Sequence, residues 1–182
     1  KGSFENVRFE ARPEGIKRLD PWSWDNNPFN GKPEFQGLKV MMVLLNNWDI
    51  KDDNTKVLLV KNEAGENELH YIVSDLGATL GKTGNFMSRT RNKPEDYVKS
   101  EFVTGVKGNF VEFDYNGKRK DLFRNITVEQ VKWVADLLAR LSDQQITDAF
   151  RAGNYSTEEV QLLSDAFRAR VKQIAALSAG GH

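Results

Sequence analysis

The chain has no cysteine and only two histidines, His70 and His182, in 182 residues. Without thiols there is neither a disulfide framework nor a thiolate metal site, and two imidazoles make a histidine zinc centre implausible. Lysine plus arginine equals aspartate plus glutamate at 26 each, so no net field draws the protein to nucleic acid or to an anionic membrane surface. No apolar run approaches the roughly 20 residues of a membrane span, and no secretory leader pattern stands at the start. The expectation is a soluble protein, cytoplasmic or exported, with no nucleic-acid partner and no membrane span. Its first residue is Lys1 rather than Met, and further sequence is expected upstream.

What the chain does have is material for a core: 39% hydrophobic residues, including 11 Phe and 4 Trp, over the length of one domain. Phe4 to Ala11 alternates as a strand does, and Pro13 and Gly15 break it. Three of the five prolines fall between Pro21 and Pro33, beside Trp22, Trp24 and Phe29, the composition of an ordered loop with aromatic anchors. From Glu34 to Asn47 the residues Leu38, Met41, Met42 and Leu45 recur at helical spacing, which predicts a helix with that buried face, ending at Asn46 or Asn47.

Thr55 to Val60 and Glu68 to Ser74 are β-rich runs around a polar turn, a hairpin signal. A Gly-rich stretch with Gly77, Gly81 and Gly84 leads to Arg89, Arg91 and Lys93, which read as a solvated loop, with binding of a phosphorylated or acidic substrate as the alternative. Val111, Phe113 and Tyr115 alternate up to Asn116-Gly117, a pair that fits a type I′ turn and predicts a second hairpin returning through Lys118 to Phe123. Thr127 with Gln130, Ser142 with Gln145 and Ser156 with Glu159 match capping boxes ahead of three helices, the second closed by Gly153. Leu162, Leu163, Phe167, Val171 and Ile174 form a core stripe on the last helix. There is no internal repeat and no low-complexity tract.

The chemistry-bearing pattern lies where the first helix ends. Asn47-Trp48-Asp49-Ile50-Lys51-Asp52-Asp53-Asn54 is a D-x-K-x-x-N loop, and one hairpin later comes Ser74-Asp75-Leu76-Gly77, a D-x-G. Phosphoryl transfer asks for a carboxylate to orient or deprotonate an acceptor hydroxyl, and for oxygen ligands that hold Mg²⁺ on the phosphates. Asp49 is placed to serve as the base, Lys51 to neutralise charge on the transferred group, and Asn54 with Asp75 to ligate the metal. Gly77 would let the backbone turn after the metal ligand. The D-x-K-x-x-N pattern is expected about 0.1 times by chance in this composition, and about 0.01 times once the downstream D-x-G is also required. The competing reading is that Asp49, Asp52 and Asp53 only cap a turn. His70 reads as an edge or surface residue, and Trp22, Trp24 and Trp48 as packing anchors.

These motifs resemble the catalytic loop and metal-binding segment of the protein-kinase-like superfamily. They are closest to the atypical kinases in which a long helix leads into an N-x-D motif, among them the phosphoinositide kinases, the HipA toxin kinases and the secreted Golgi kinases. The stretch from Trp22-Ser23-Trp24 through Asn27-Pro28-Phe29 to Leu80-Gly81 is also similar to bacterial proteins of that kind. The resemblance covers roughly Phe4 to Gly84. It implies an α+β fold, the mainly helical large lobe of a kinase with small β-hairpins, with 34–182 as the catalytic lobe. Residues 1–33 would be the end of a small lobe, its hinge and the aromatic loop. It implies ATP as nucleotide, Mg²⁺ or Mn²⁺ as metal, and an unidentified hydroxyl-bearing substrate, with Asp49 and Lys51 catalytic and Asn54, Asp75 and Gly77 at the nucleotide and metal. No G-x-G-x-x-G precedes Asp49, so the small lobe is expected upstream on the same polypeptide. A function of another class also fits, a non-catalytic, pseudokinase-like interaction module.

Overall fold

The computed structural model describes residues 14–178, a mixed α+β fold whose described part holds five α-helices and two small antiparallel sheets. The described residues fall into two compact units, one of residues 14–23 and 52–74, the other of residues 24–51 and 75–178. The strand expected at Phe4 to Ala11 lies outside the described residues. Among the described residues no helix is long and apolar enough to cross a membrane.

The first unit is built on a three-stranded antiparallel sheet in the order β1 (Lys17–Arg18), β2 (Thr55–Lys61), β3 (Asn67–Val73). The β2–β3 hairpin runs from the Thr55–Val73 pair to the Lys61–Asn67 pair, as the two β-rich runs predict. Asn62 shapes the connecting turn: its Oδ1 accepts the Ala64 and Glu66 amides at 3.0 and 2.9 Å, and Gly65 takes the left-handed φ of 80°. Trp22 is a packing anchor, buried with its indole N–H donating to the Ile72 carbonyl at 3.0 Å. The fully buried Thr55 hydroxyl bonds the carbonyl of Trp22 and lies 2.7 Å from that of Asp52. It thereby ties the 3₁₀ turn Asp52–Asn54 to the start of β2.

The second unit holds the helices, the short α2 (Pro94–Lys99) among them. α1 (Pro33–Leu44) starts with proline at its first position, where the missing N–H costs nothing, and ends in a left-handed Asn46 with φ of 54°. The Asn46 amide reaches the Val43 carbonyl at 3.0 Å and the Asn47 amide the Met42 carbonyl at 2.9 Å, the paired bonds of a Schellman stop. The deepest burial lies to one side of the predicted face, of which Met42 alone is fully buried. Phe35, Val40, Met42, Val43 and Leu44 are buried, whereas Leu38, Met41 and Leu45 are half-buried. Apolar residues occur on more than one side, so spacing alone did not single out the side that packs most deeply. Gly37 faces α3 (Val128–Leu138), where a Cβ would stand 2.8 Å from the Trp133 ring. Trp24 is buried and stacks on Phe35 at 5.9 Å.

α3, α4 (Asp143–Ala152) and α5 (Thr157–Ala175) each begin with the predicted capping box, both reciprocal bonds present in all three. The α5 stripe is buried at Leu163, Phe167, Val171 and Ile174. The hairpin expected at Asn116-Gly117 does not form. β5 (Phe110–Phe113) instead turns back on β4 (Val103–Lys107) through Gly108, whose φ is 59°. Residues 120–123 make a 3₁₀ turn rather than a strand. A type I′ turn needs positive φ at both central residues, and neither Asn116 nor Gly117 has it.

Candidate functional site

Asp49 is fixed by the side chain two residues before it. The Asn47 Oδ1 accepts the Asp49 amide at 3.1 Å, an Asx turn that gives the N-x-D pattern a local mechanical meaning. Asn47 itself is buried, and its carbonyl accepts the Tyr115 hydroxyl at 2.7 Å. Burial, and after it the negative charges of Asp49 and Asp121, push the Tyr115 phenol far above its ordinary value of 10, so it stays a donor. Between these two residues Trp48 donates its amide to the Ala78 carbonyl at 3.1 Å and its indole N–H to the Thr90 carbonyl at 2.7 Å.

The Asp49 side chain is 17% exposed and carries two cations. Lys118 Nζ lies 2.5 Å from Oδ1 and Lys51 Nζ 3.6 Å from Oδ2. Lys51 thus stands beside Asp49. Lys118 carried no mark in the sequence, being 69 residues away and at the start of a stretch read as the returning strand of a hairpin. Its amide donates to the Trp48 carbonyl at 2.9 Å, so the backbone of residues 117–118 lies directly against the Asp49 loop. That approach requires glycine at 117, because a Cβ there would sit 2.5 Å from the Tyr115 Cζ and 2.7 Å from the Trp48 Cα.

The D-x-G segment lies beside the same loop. Leu80 donates its amide to the Leu45 carbonyl at 2.9 Å, and with the Trp48–Ala78 bond this makes an antiparallel run of 45–48 against 80–78. Asp49 therefore leaves the paired stretch on the side from which Gly77 enters it. Asp75 is exposed, and its carboxylate bonds no described residue. The chain turns at Leu76 and Gly77, as the sequence implied, but the left-handed conformation falls on Asp75, with φ of 55°. Asp tolerates the left-handed region better than most residues. Gly77 leaves open space, since a Cβ there would lie 3.9 Å from the Asp75 Oδ1, an ordinary contact.

Asn54 belongs to the first unit. It is buried at the end of the 3₁₀ turn, and its carbonyl accepts the Ser74 amide at 2.7 Å and the Ser74 hydroxyl at 3.0 Å. Among the described residues no group of three or more His, Asp or Glu side chains is arranged to hold a metal.

The loop after Gly77 departs from the solvated reading at one position. Arg89 is half-buried, its guanidinium 4.1 Å from the Trp48 ring centroid and 5.3 Å from that of Phe86, while Phe86 and Met87 stand almost fully exposed. Comparison of this chain with protein-family models, curated proteins and solved structures gives no match.

Proposed function

We propose that the chain carries the catalytic large lobe of a protein-kinase-like phosphotransferase, transferring the γ-phosphoryl group of ATP to a hydroxyl acceptor. One observation carries the reading: the loop holding Asp49 and the segment following Asp75 are hydrogen-bonded to each other, Trp48 to Ala78 and Leu80 to Leu45. Two motifs assigned to one reaction from sequence are thus neighbours in the backbone.

In this reading Asp49 accepts the acceptor's proton as the acceptor oxygen bonds to the γ-phosphorus and the bond to the ADP oxygen breaks. Lys51 and Lys118, already beside Asp49, steady its charge and attract the phosphoryl group. Asp75 would be a ligand of Mg²⁺ or Mn²⁺, which would supply neutralisation of the phosphate charge. The Lys118–Asp49 ion pair also favours the second reading, a scaffold that binds without transfer, because it occupies the oxygen that would take the proton.

The test uses the full-length protein with Asp49→Asn and Asp75→Asn. Asp49→Asn is expected to leave Mg²⁺-dependent nucleotide affinity near that of the parent and to slow transfer by about 10² to 10⁴. Asp75→Asn is expected to lose the metal-dependent part of that affinity. Transfer at the parent rate in both variants refutes the catalytic assignment, and nucleotide binding without transfer by the parent selects the scaffold.

A further inference from the structure

We propose that Arg170 and Asn46 are positioning residues, a clamp through which α5 sets the spacing between the Asp49 loop and the segment after Asp75. The inference rests on the reading of those two loops as the phosphotransfer site. Arg170 is buried on α5, and its donors meet no carboxylate among the described residues. Nη1 donates to the Leu44 carbonyl at 2.7 Å and to the Asn46 Oδ1 at 2.9 Å. Nη2 donates to the Tyr97 carbonyl at 3.0 Å, the Ser100 hydroxyl at 2.8 Å and, more weakly, the Ser100 carbonyl at 3.3 Å. The guanidinium also lies 4.0 Å from the Tyr97 ring centroid.

Burying a guanidinium among neutral acceptors is expensive, and desolvation pulls its pKa below the usual arginine value. What the arrangement supplies is geometry. Leu44 and Asn46 are the last helical residue of α1 and its left-handed stop, so a cation at this helix end fixes the point from which the Asp49 loop departs. Asn46 carries the constraint onward, its Nδ2 donating to the Gly81 carbonyl at 2.7 Å and lying 2.8 Å from the Ser100 hydroxyl. Gly81 follows Leu80, a non-glycine residue held at φ of 53°, a conformation that persists only where the surroundings enforce it. Here they do: the Leu80 amide is bonded to Leu45, and a Cβ on Gly81 would stand 2.6 Å from the Thr90 carbonyl oxygen. The path from Arg170 through Asn46 to Gly81 therefore touches both loops and holds neither reacting group.

Asn46→Gly tests the clamp because glycine keeps the left-handed backbone while deleting the side chain. The readout independent of activity is NMR amide exchange at Trp48 and Leu80, the two N–H groups that pair the loops. In Asn46→Gly both should exchange about tenfold faster or more, the scale of a lost buried hydrogen bond, while amides in the middle of α3 and α5 keep the parent rate. Arg170→Met should do the same, and Arg170→Lys, with a point charge in place of the fork, should fall between. Unchanged exchange at Trp48 and Leu80 in Asn46→Gly overturns the proposal, as does an equal rise throughout α3 and α5, which marks general destabilisation. On the full-length protein, kcat for MgATP turnover should fall about tenfold in Asn46→Gly with KM for the nucleotide changed less than about twofold. A parent without turnover refutes the phosphotransfer reading alone, and the exchange result still decides the clamp.

Discussion

Gly117→Ala puts the close approach beside Asp49 to the test. The new methyl group would meet the Tyr115 ring carbon at 2.5 Å and the Trp48 Cα at 2.7 Å, so at least one of them has to move. Trp48 is held by its amide on Ala78 and by the Lys118 amide on its own carbonyl, and a shift of that backbone strains both bonds. If Tyr115 yields instead, its hydroxyl leaves the Asn47 carbonyl, a buried bond at 2.7 Å. Overpacking in a fixed environment costs about 1–3 kcal/mol, and loss of one buried hydrogen bond adds about 1–2 kcal/mol. The expected destabilisation is therefore about 2–5 kcal/mol, read as the change in unfolding free energy from urea denaturation. Gly77→Ala is the control, since its Cβ would find only an ordinary contact at 3.9 Å and should change stability by less than about 0.5 kcal/mol. A loss below about 1 kcal/mol in Gly117→Ala would refute the account of why the chain carries glycine there.

Gly37→Ala involves a similar clash, 2.8 Å from the Trp133 ring, but that ring is half-buried and can swing outward. Alanine also gains about 1 kcal/mol of helix propensity over glycine, so stability should stay within about 1 kcal/mol of the parent, and a loss above about 2 kcal/mol in the same urea assay would refute this. Burial raises the phenol pKa of Tyr97 and Tyr115 above the ordinary 10, so the folded state keeps protons that the unfolded chain releases. Their contribution is complete below about pH 10 and falls as pH rises beyond it, by about 1.4 kcal/mol per pH unit for each group. Between about pH 8 and pH 11 the parent should lose more stability than Tyr115→Phe does, and equal losses would contradict the assignment.

What the sequence made legible was local. The three capping boxes need only four residues each, and the β2–β3 hairpin was marked by two β-rich runs around a polar turn. The stop of α1 at Asn46 followed from the ease with which asparagine takes the left-handed region. β4 went unread because Gly105 and a register shift between Val103 and Gly105 interrupt its alternation. With that partner missing, β5 seemed to need a return strand after Asn116-Gly117. At the site the order of Asp49, Lys51, Asn54 and Asp75 was legible as a motif, whereas Lys118 and Arg170 are joined to it only by tertiary structure. Nothing in their own neighbourhoods marks a lysine after a glycine, or an arginine on an amphipathic helix, as a partner of residues 44–49.

The hydrogen bonds around residues 44–48 explain why the site could vary without loss of fold. The Leu44 carbonyl accepts from Tyr97 and Arg170, the Leu45 carbonyl from Leu80, the Asn47 carbonyl from Tyr115 and the Trp48 carbonyl from Lys118. A helix end leaves carbonyls such as those of Leu44 and Leu45 without intrahelical partners, and here four remote segments satisfy them and the loop carbonyls that follow. The loop's position is therefore held by groups other than the carboxylates that it presents. Asp49 is tied to Lys51 and Lys118, whose side chains are 37% and 46% exposed, and pairs of that kind contribute little to stability. Asp75 bonds no described residue. Removing either charge should leave the backbone pairing intact, so a functional effect of Asp49→Asn or Asp75→Asn can be assigned to chemistry instead of folding. The same separation implies that a binding scaffold could lose catalysis by substitutions at these carboxylates while keeping the architecture of the loop.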